Sequence, residues 1–149
     1  MEKGNNAATL SLLEAMYKNV RMGSDSIMDI MPKVSDENMR TELTNELERY
    51  EEFSKEIENI ILNMGEEAKD QGMMAKLGTK MSVAMNTMVD STTSHIAEMM
   101  IQGGTMGITD ATKLLREYEN TSCSEDALDI ARRIIKYEEE TVERLKKFL

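Results

Sequence analysis

Tryptophan is absent from this 149-residue sequence, and cysteine, proline and histidine occur once each, as Cys123, Pro32 and His95. A lone cysteine excludes an internal disulfide framework. A single proline leaves little to interrupt helices. Aromatic residues make up 4% of the chain, too few for an aromatic-rich β-sandwich core. No apolar run approaches the roughly 20 residues that span a bilayer. The first residues, MEKGNNAATL, lack the basic and apolar regions of a signal peptide. Basic residues are the minority, 18 against 28 acids, for a net charge of -10. That balance repels nucleic acid and anionic membrane surfaces. No phosphate-binding loop is present, since the glycine-rich stretch Gly103-Gly104-Thr105-Met106-Gly107 follows no strand. Cys123 has no histidine near it in sequence, so nothing suggests a thiol nucleophile. The expectation is one cytoplasmic helical domain, residues 1–149, with neither nucleic acid nor membrane as partner.

What is present is helical periodicity and methionine, 15 residues of it. A first helix is expected from about Asn6 to Met31, with a seam through Leu10, Leu13, Tyr17, Val20, Ser24 and Ile27 at alternating spacings of three and four. Pro32 should end it. Ser35 reads as the cap of a second helix, whose seam is Leu43, Leu47, Tyr50, Ile57, Ile61 and Met64, closed by Gly65. The short connection makes these two an antiparallel hairpin. The last helix opens at Ser122-Cys-Ser-Glu125, a capping-box pattern. It then carries Leu128, Ala131, Ile135, Glu138, Val142, Leu145 and Leu149 at spacings of three and four. Residues 37–70 are mostly acidic and 132–147 mostly basic, which surface electrostatics reads as two solvated faces.

The middle of the chain has two parsings. In one, a helix runs from Met73 to Gln102 and the glycines form a loop. In the other, Met73–Val89 is a connecting helix, and a long third helix runs from about Thr92 to Asn120 through the glycines. Each interior glycine costs about 0.8–1.0 kcal/mol against alanine, which favours the loop. Gly103, Gly107 and Ala111 recur every four residues, on one helix face, and a loop has no reason to keep that spacing. The stripe favours the second parsing and marks an expected close helix approach.

Glu138 is the residue that breaks the pattern. An acid in the middle of an apolar seam is costly unless paired, protonated or ligated. Inward carboxylates on facing helices are also how bundles build metal sites. Counting from the turns puts Glu14 level with Glu48 and Glu51, and Glu138 opposite about residue 106, near Asp110. If residues 73–89 cross back along the bundle, Glu14, Glu51, Asp110 and Glu138 all fall near mid-height.

These residues resemble a pattern. Glu14 on the first helix, Glu48-Arg49-Tyr50-Glu51 on the second, the small-residue stripe on the third and Glu138-Glu139-Glu140-Thr141 on the fourth resemble the ferritin-like superfamily. The likeness is closest to small bacterial four-helix proteins of unknown function. The resemblance implies an all-α, ferritin-like four-helix bundle, with an additional connecting helix between the second and third long helices. In active members it also implies a di-iron carboxylate site with Glu-x-x-His on the second and fourth helices. Here Glu51 and Thr141 stand where those histidines would be. Four acids without imidazole repel one another, although an oxygen-only cluster can hold a hard cation.

Candidate metal ligands are therefore Glu14, Glu48, Glu51 and Glu138, with His95 and Glu98, three apart on one helix face, as a separate pair. Met81, Met85 and Met88 offer thioethers suited to Cu(I), but their helical spacing reads better as an adaptable contact face. The expected role is non-catalytic. The bundle associates with itself, as a homodimer, or with another protein through an apolar helical face, and no cofactor is expected. The alternative is a carboxylate-rich metal-binding or oxidoreductase-type ferritin relative holding iron or another divalent metal.

Overall fold

The computed structural model describes residues 3–65 and 90–149, with side chains described from residue 6. Within them are four long helices: α1 (Lys3–Ile30), α2 (Glu37–Asn63), α3 (Thr93–Glu119) and α4 (Glu125–Leu145). Short 3-10 turns follow α1 at Met31–Lys33 and α4 at Lys146–Phe148, and no strand occurs among the described residues. The expected connecting helix at 73–89, with Met81, Met85 and Met88, lies outside the described residues.

Local chemistry explains each boundary. Pro32 sits in the turn that stops α1. Asp36, rather than Ser35, caps α2, its carboxylate accepting from the Met39 N–H at 2.8 Å. The turn and the extended, buried Val34 use up chain before helical angles begin. Gly65, at φ +80°, follows the end of α2 in a conformation that suits glycine. The Thr92 hydroxyl caps α3, accepting from the His95 N–H at 3.2 Å. Ser124 caps α4 through the Ala127 N–H at 3.3 Å, so the Ser122 capping box is displaced by two residues, Thr121 and Ser122 being part of the preceding turn. The helix α3 passes unbroken through Gly103, Gly104 and Gly107, as the second parsing requires.

Side-chain contacts give the direction of each helix. Tyr17 donates to Glu58 at 2.8 Å and Arg21 to Glu51 at 3.0 Å, so α1 and α2 run antiparallel. Arg132 pairs with Glu119 at 3.1 Å across the α3–α4 hairpin. The Ser124 N–H donates to the Thr9 hydroxyl at 2.9 Å, which places the starts of α1 and α4 together. The two hairpins therefore pack with α1 parallel to α4, and α2 ends at the opposite end of the bundle from where α3 begins.

One apolar core joins all four helices. Leu12, Leu13, Met16, Val20, Ile27 and Ile30 supply α1, and Met39, Leu43, Phe53, Ile57 and Ile61 supply α2. On α4, Leu128, Ile135 and Leu145 are buried and Arg132 and Glu139 are exposed, as is Lys146 just after it, which the seam spacing predicts. Val142 and Arg133, however, are half-buried, and the last seam residue, Leu149, is exposed. The acidic and basic segments meet across α2 and α4, where Glu56 pairs with Arg133 and Glu42 with Arg144. They are thus more than two separately solvated faces, although partly exposed pairs of this kind add little stability.

Gly23 and Gly104, outside the four-residue stripe, lie in tighter contact than Gly107 within it. A Cβ on Gly23 would lie 2.9 Å from the Tyr50 ring, and one on Gly104 would lie 3.0 Å from a Val142 methyl. At Gly107 a Cβ would meet its nearest neighbour, the Asn19 amide nitrogen, at an ordinary 3.5 Å. Packing demands glycine at 23 and 104 but not at 107. Gly23→Ala should therefore cost stability, on the order of 1–2 kcal/mol after its helix-propensity gain. Gly107→Ala should be neutral or stabilising by up to about 1 kcal/mol. Urea unfolding of the two variants checks the contrast.

Candidate functional site

The glycines leave a space of about 150 Å³ among α1, α3 and α4, reached by Tyr50 from α2. Its walls are largely methionine: Met22 from α1, and Met99, Met100 and Met106 from α3. Met106 is 68% exposed and forms the lip. Gly103, Gly104 and Gly107 line the same space, so part of its wall is bare helix backbone.

Glu138 enters this space from α4. It is 5% exposed, and its Oε1 has no hydrogen-bond partner. A Cβ on Gly107 would stand 3.8 Å from Glu138 Oε2 and 4.0 Å from Oε1, so the carboxyl lies over that glycine. Burial pushes the Glu138 pKa up to about 8. Asn19 reaches the same point from α1, its side-chain amide donating to the Gly107 carbonyl at 3.0 Å. That bond turns the other end of the amide free, and the buried Asn19 Oδ1 also has no partner. Tyr50 completes the wall. Its burial, then the charges of Glu138 and Glu46, push its phenol well above the ordinary value.

A second buried acid lies toward the other end of α2. Glu46 is 1% exposed, and burial, then its hydrogen bond to Glu42, push it up to about 10. Glu42 moves the other way. Its own burial raises it, but hydrogen bonds from Glu46 and from Arg144, at 3.1 Å to the guanidinium, outweigh that and hold it below the ordinary carboxylate value. The pair thus keeps a proton on Glu46 and a charge on Glu42, neutralised by Arg144. Arg144 also donates to Thr141 at 2.9 Å and lies over the Tyr137 ring. Glu46 Oε2 is still left buried without a hydrogen-bond partner, as Glu138 Oε1 is, but Glu46 bonds to a charged neighbour and Glu138 does not.

The expected ligand set is dispersed. Glu48 is exposed, and Glu51 is engaged by Arg21 at 3.0 Å. Glu14 is half-buried and lies seven residues, about two helical turns, along α1 from the Arg21–Glu51 level. The turn after α1 explains the offset. It lengthens the hairpin and shifts the register of α1 against α2, so counting from residue 33 misplaces Glu14. Glu138 does face the level of residue 106, beside Gly107. His95 lies at the start of α3, three turns from Gly107, and Glu98 is exposed. Among the described residues, no three His, Cys, Asp or Glu side chains are grouped to hold a metal ion.

Asn19, Glu46 and Arg144 escape a reading of the sequence. Glu46 left a signal, since Met39, Leu43, Glu46, Tyr50, Phe53 and Ile57 recur at spacings of four and three, and all are buried. The neighbouring apolar Leu47, half-buried, draws the seam off by one residue. Asn19 left none, because only the neighbouring helix makes it interior.

Four helices around one core with an interhelical pocket define an all-helical bundle. Residues 8–117 match the family described as Domain of unknown function (DUF2383), and the chain belongs to that family. No curated protein and no solved structure matches it. The helix α4, which supplies Glu138, follows the matched segment.

The raised Glu138 pKa sets a pH dependence. The unfolded chain loses this proton near pH 4.5 and the folded chain keeps it to about pH 8. Its contribution is fully present below pH 4.5, declines as pH rises to 8, and is constant above. Glu138→Gln removes this dependence. Its stability relative to wild type should rise by roughly 2–4 kcal/mol between pH 5 and pH 9. Denaturant unfolding at the two pH values measures it, and a difference that does not change with pH would place Glu138 in contact with solvent.

Proposed function

We propose that this protein is a non-catalytic, ferritin-like helical bundle of the cytoplasm that acts by association with a protein. Its partner is another chain or a second copy of itself, and the pocket among α1, α3 and α4 is where a partner side chain is received. The observation that supports this reading is the pocket's build. It has side-chain volume, adaptable methionine walls, an exposed methionine at its lip, and two buried polar atoms with nothing bonded to them. Methionine suits such a surface because its unbranched, polarisable chain repacks around different shapes at low cost. Gly107 supports the same reading, since packing leaves room for a Cβ there. The glycine keeps the floor between Asn19 and Glu138 open. The acidic net charge disfavours nucleic acid and anionic membranes as partners. No helix among the described residues is long and apolar enough to cross a membrane.

A photo-crosslinking residue at position 106 tests this, with the same group at exposed Glu52 as control. The expected outcome is a crosslink specific to position 106, to a defined residue of a second copy or of one partner. Gly107→Ala should weaken it several-fold while leaving stability equal or higher. Equal crosslinking from positions 106 and 52 would show that the lip has no partner.

A further inference from the structure

We infer that the pocket receives an alkylammonium group, its nitrogen donating to Glu138 and Asn19 and its carbon stem enclosed by the methionines. This rests on the reading above that the pocket accepts a side-chain-sized group, and names that group's chemistry.

Among the described residues, the charged ones lining the pocket are both acids, Glu138 and Asp110, with no lysine, arginine or histidine. Its unpartnered buried atoms are Asn19 Oδ1 and Glu138 Oε1. One N–H of the Asn19 amide is committed to the Gly107 carbonyl, and its unpartnered buried Oδ1 is an acceptor open to an occupant. An arriving cation displaces to solvent the proton that the empty pocket keeps on Glu138. The two acceptors then call for a donor with more than one N–H, since buried acceptors left unmet are costly. An ammonium is a compact charge with three donors, whereas a guanidinium needs a planar, two-oxygen partner. Glu138 and Asn19 approach Gly107 from different helices and present separate atoms, which suits the ammonium. Apart from Ser26 and Thr141, the rest of the wall is methionine, glycine, Tyr50 and Val142, and a cavity of about this volume holds a molecule the size of benzene. That room matches a stem of four to six carbons.

An ammonium on a carbon stem has two sources, a protein's lysine side chain and a free small amine. The test uses the full chain with ¹³C-methyl methionine, titrated at neutral pH with three probes: hexylamine, 1-hexanol and Nα-acetyl-lysine N-methylamide. Hexylamine should shift the Met99 and Met100 methyl signals and bind at least about tenfold more tightly than hexanol, as expected for hydrogen bonds to a charged group. Glu138→Gln, with the fold checked by its methyl spectrum, should bring the two within about threefold. Gly107→Ala, which places a methyl between Asn19 and Glu138, should weaken the amine more than the alcohol. Binding of the lysine derivative assigns the group to a protein partner. Binding of hexylamine without it assigns a free amine, which keeps this inference and removes the protein-association reading. Equal binding of hexylamine and hexanol overturns the inference but leaves a receiving pocket. An amine preference that survives in both variants also overturns it. No shift from any probe overturns both.

Discussion

Glu138 is carried into the bundle by the same spacing that carries Leu128, Ile135 and Leu145, and its neighbours offer Oε1 no hydrogen-bond donor. A carboxyl in that position pays for desolvation when ionised, and burial is the only cause that raises its pKa. Glu46 shows how the same fold treats an acid that it pairs in part, with Oε2 still unbonded. Glu42 and Arg144 close around it, sharing one proton and one charge. The bundle thus holds two buried acids in different conditions, one bonded to Glu42 and one facing an open space. The second condition makes the space between α1, α3 and α4 chemically directed, whereas an apolar void would be a packing defect.

That space depends on glycine used in two ways. Gly23 and Gly104 let helices approach until a Cβ would strike Tyr50 or Val142, and this draws the walls together. Gly107 stands where a Cβ would fit, and its bare backbone supplies both the carbonyl that orients Asn19 and the opening over Glu138. Each of these glycines costs helix propensity. At 23 and 104 closer packing offsets that cost. At 107 nothing in the packing does, and the proposed occupant gives the position its purpose.

Register, more than residue type, separates this bundle from the four-carboxylate site that its acids suggested. Glu14, Glu48 and Glu51 are present, but Arg21 holds Glu51 at the α1–α2 edge, Glu48 faces out, and Glu14 lies about two turns away. A turn a few residues longer than its sequence suggests moves every cross-helix pair by about two turns. No local property of a glutamate reports that shift.

Periodicity was legible because it is local, and the caps only to within one or two residues. An apolar residue every third and fourth position defines a buried stripe whatever the stripe packs against, and so the four helices, the continuous α3 and the inward Glu138 followed from the chain alone. The buried Glu46 was also written there, at its proper interval, but masked by Leu47 beside it. The tertiary structure alone decided which acids would be paired and which left open. Asn19 becomes a pocket residue only because α3 passes it at Gly107, and Arg144 neutralises Glu42 only because the end of α4 meets the start of α2. Such pairings depend on how far each helix slides and turns against its neighbour. That is settled by the sum of all contacts in the core, and no stretch of sequence carries it.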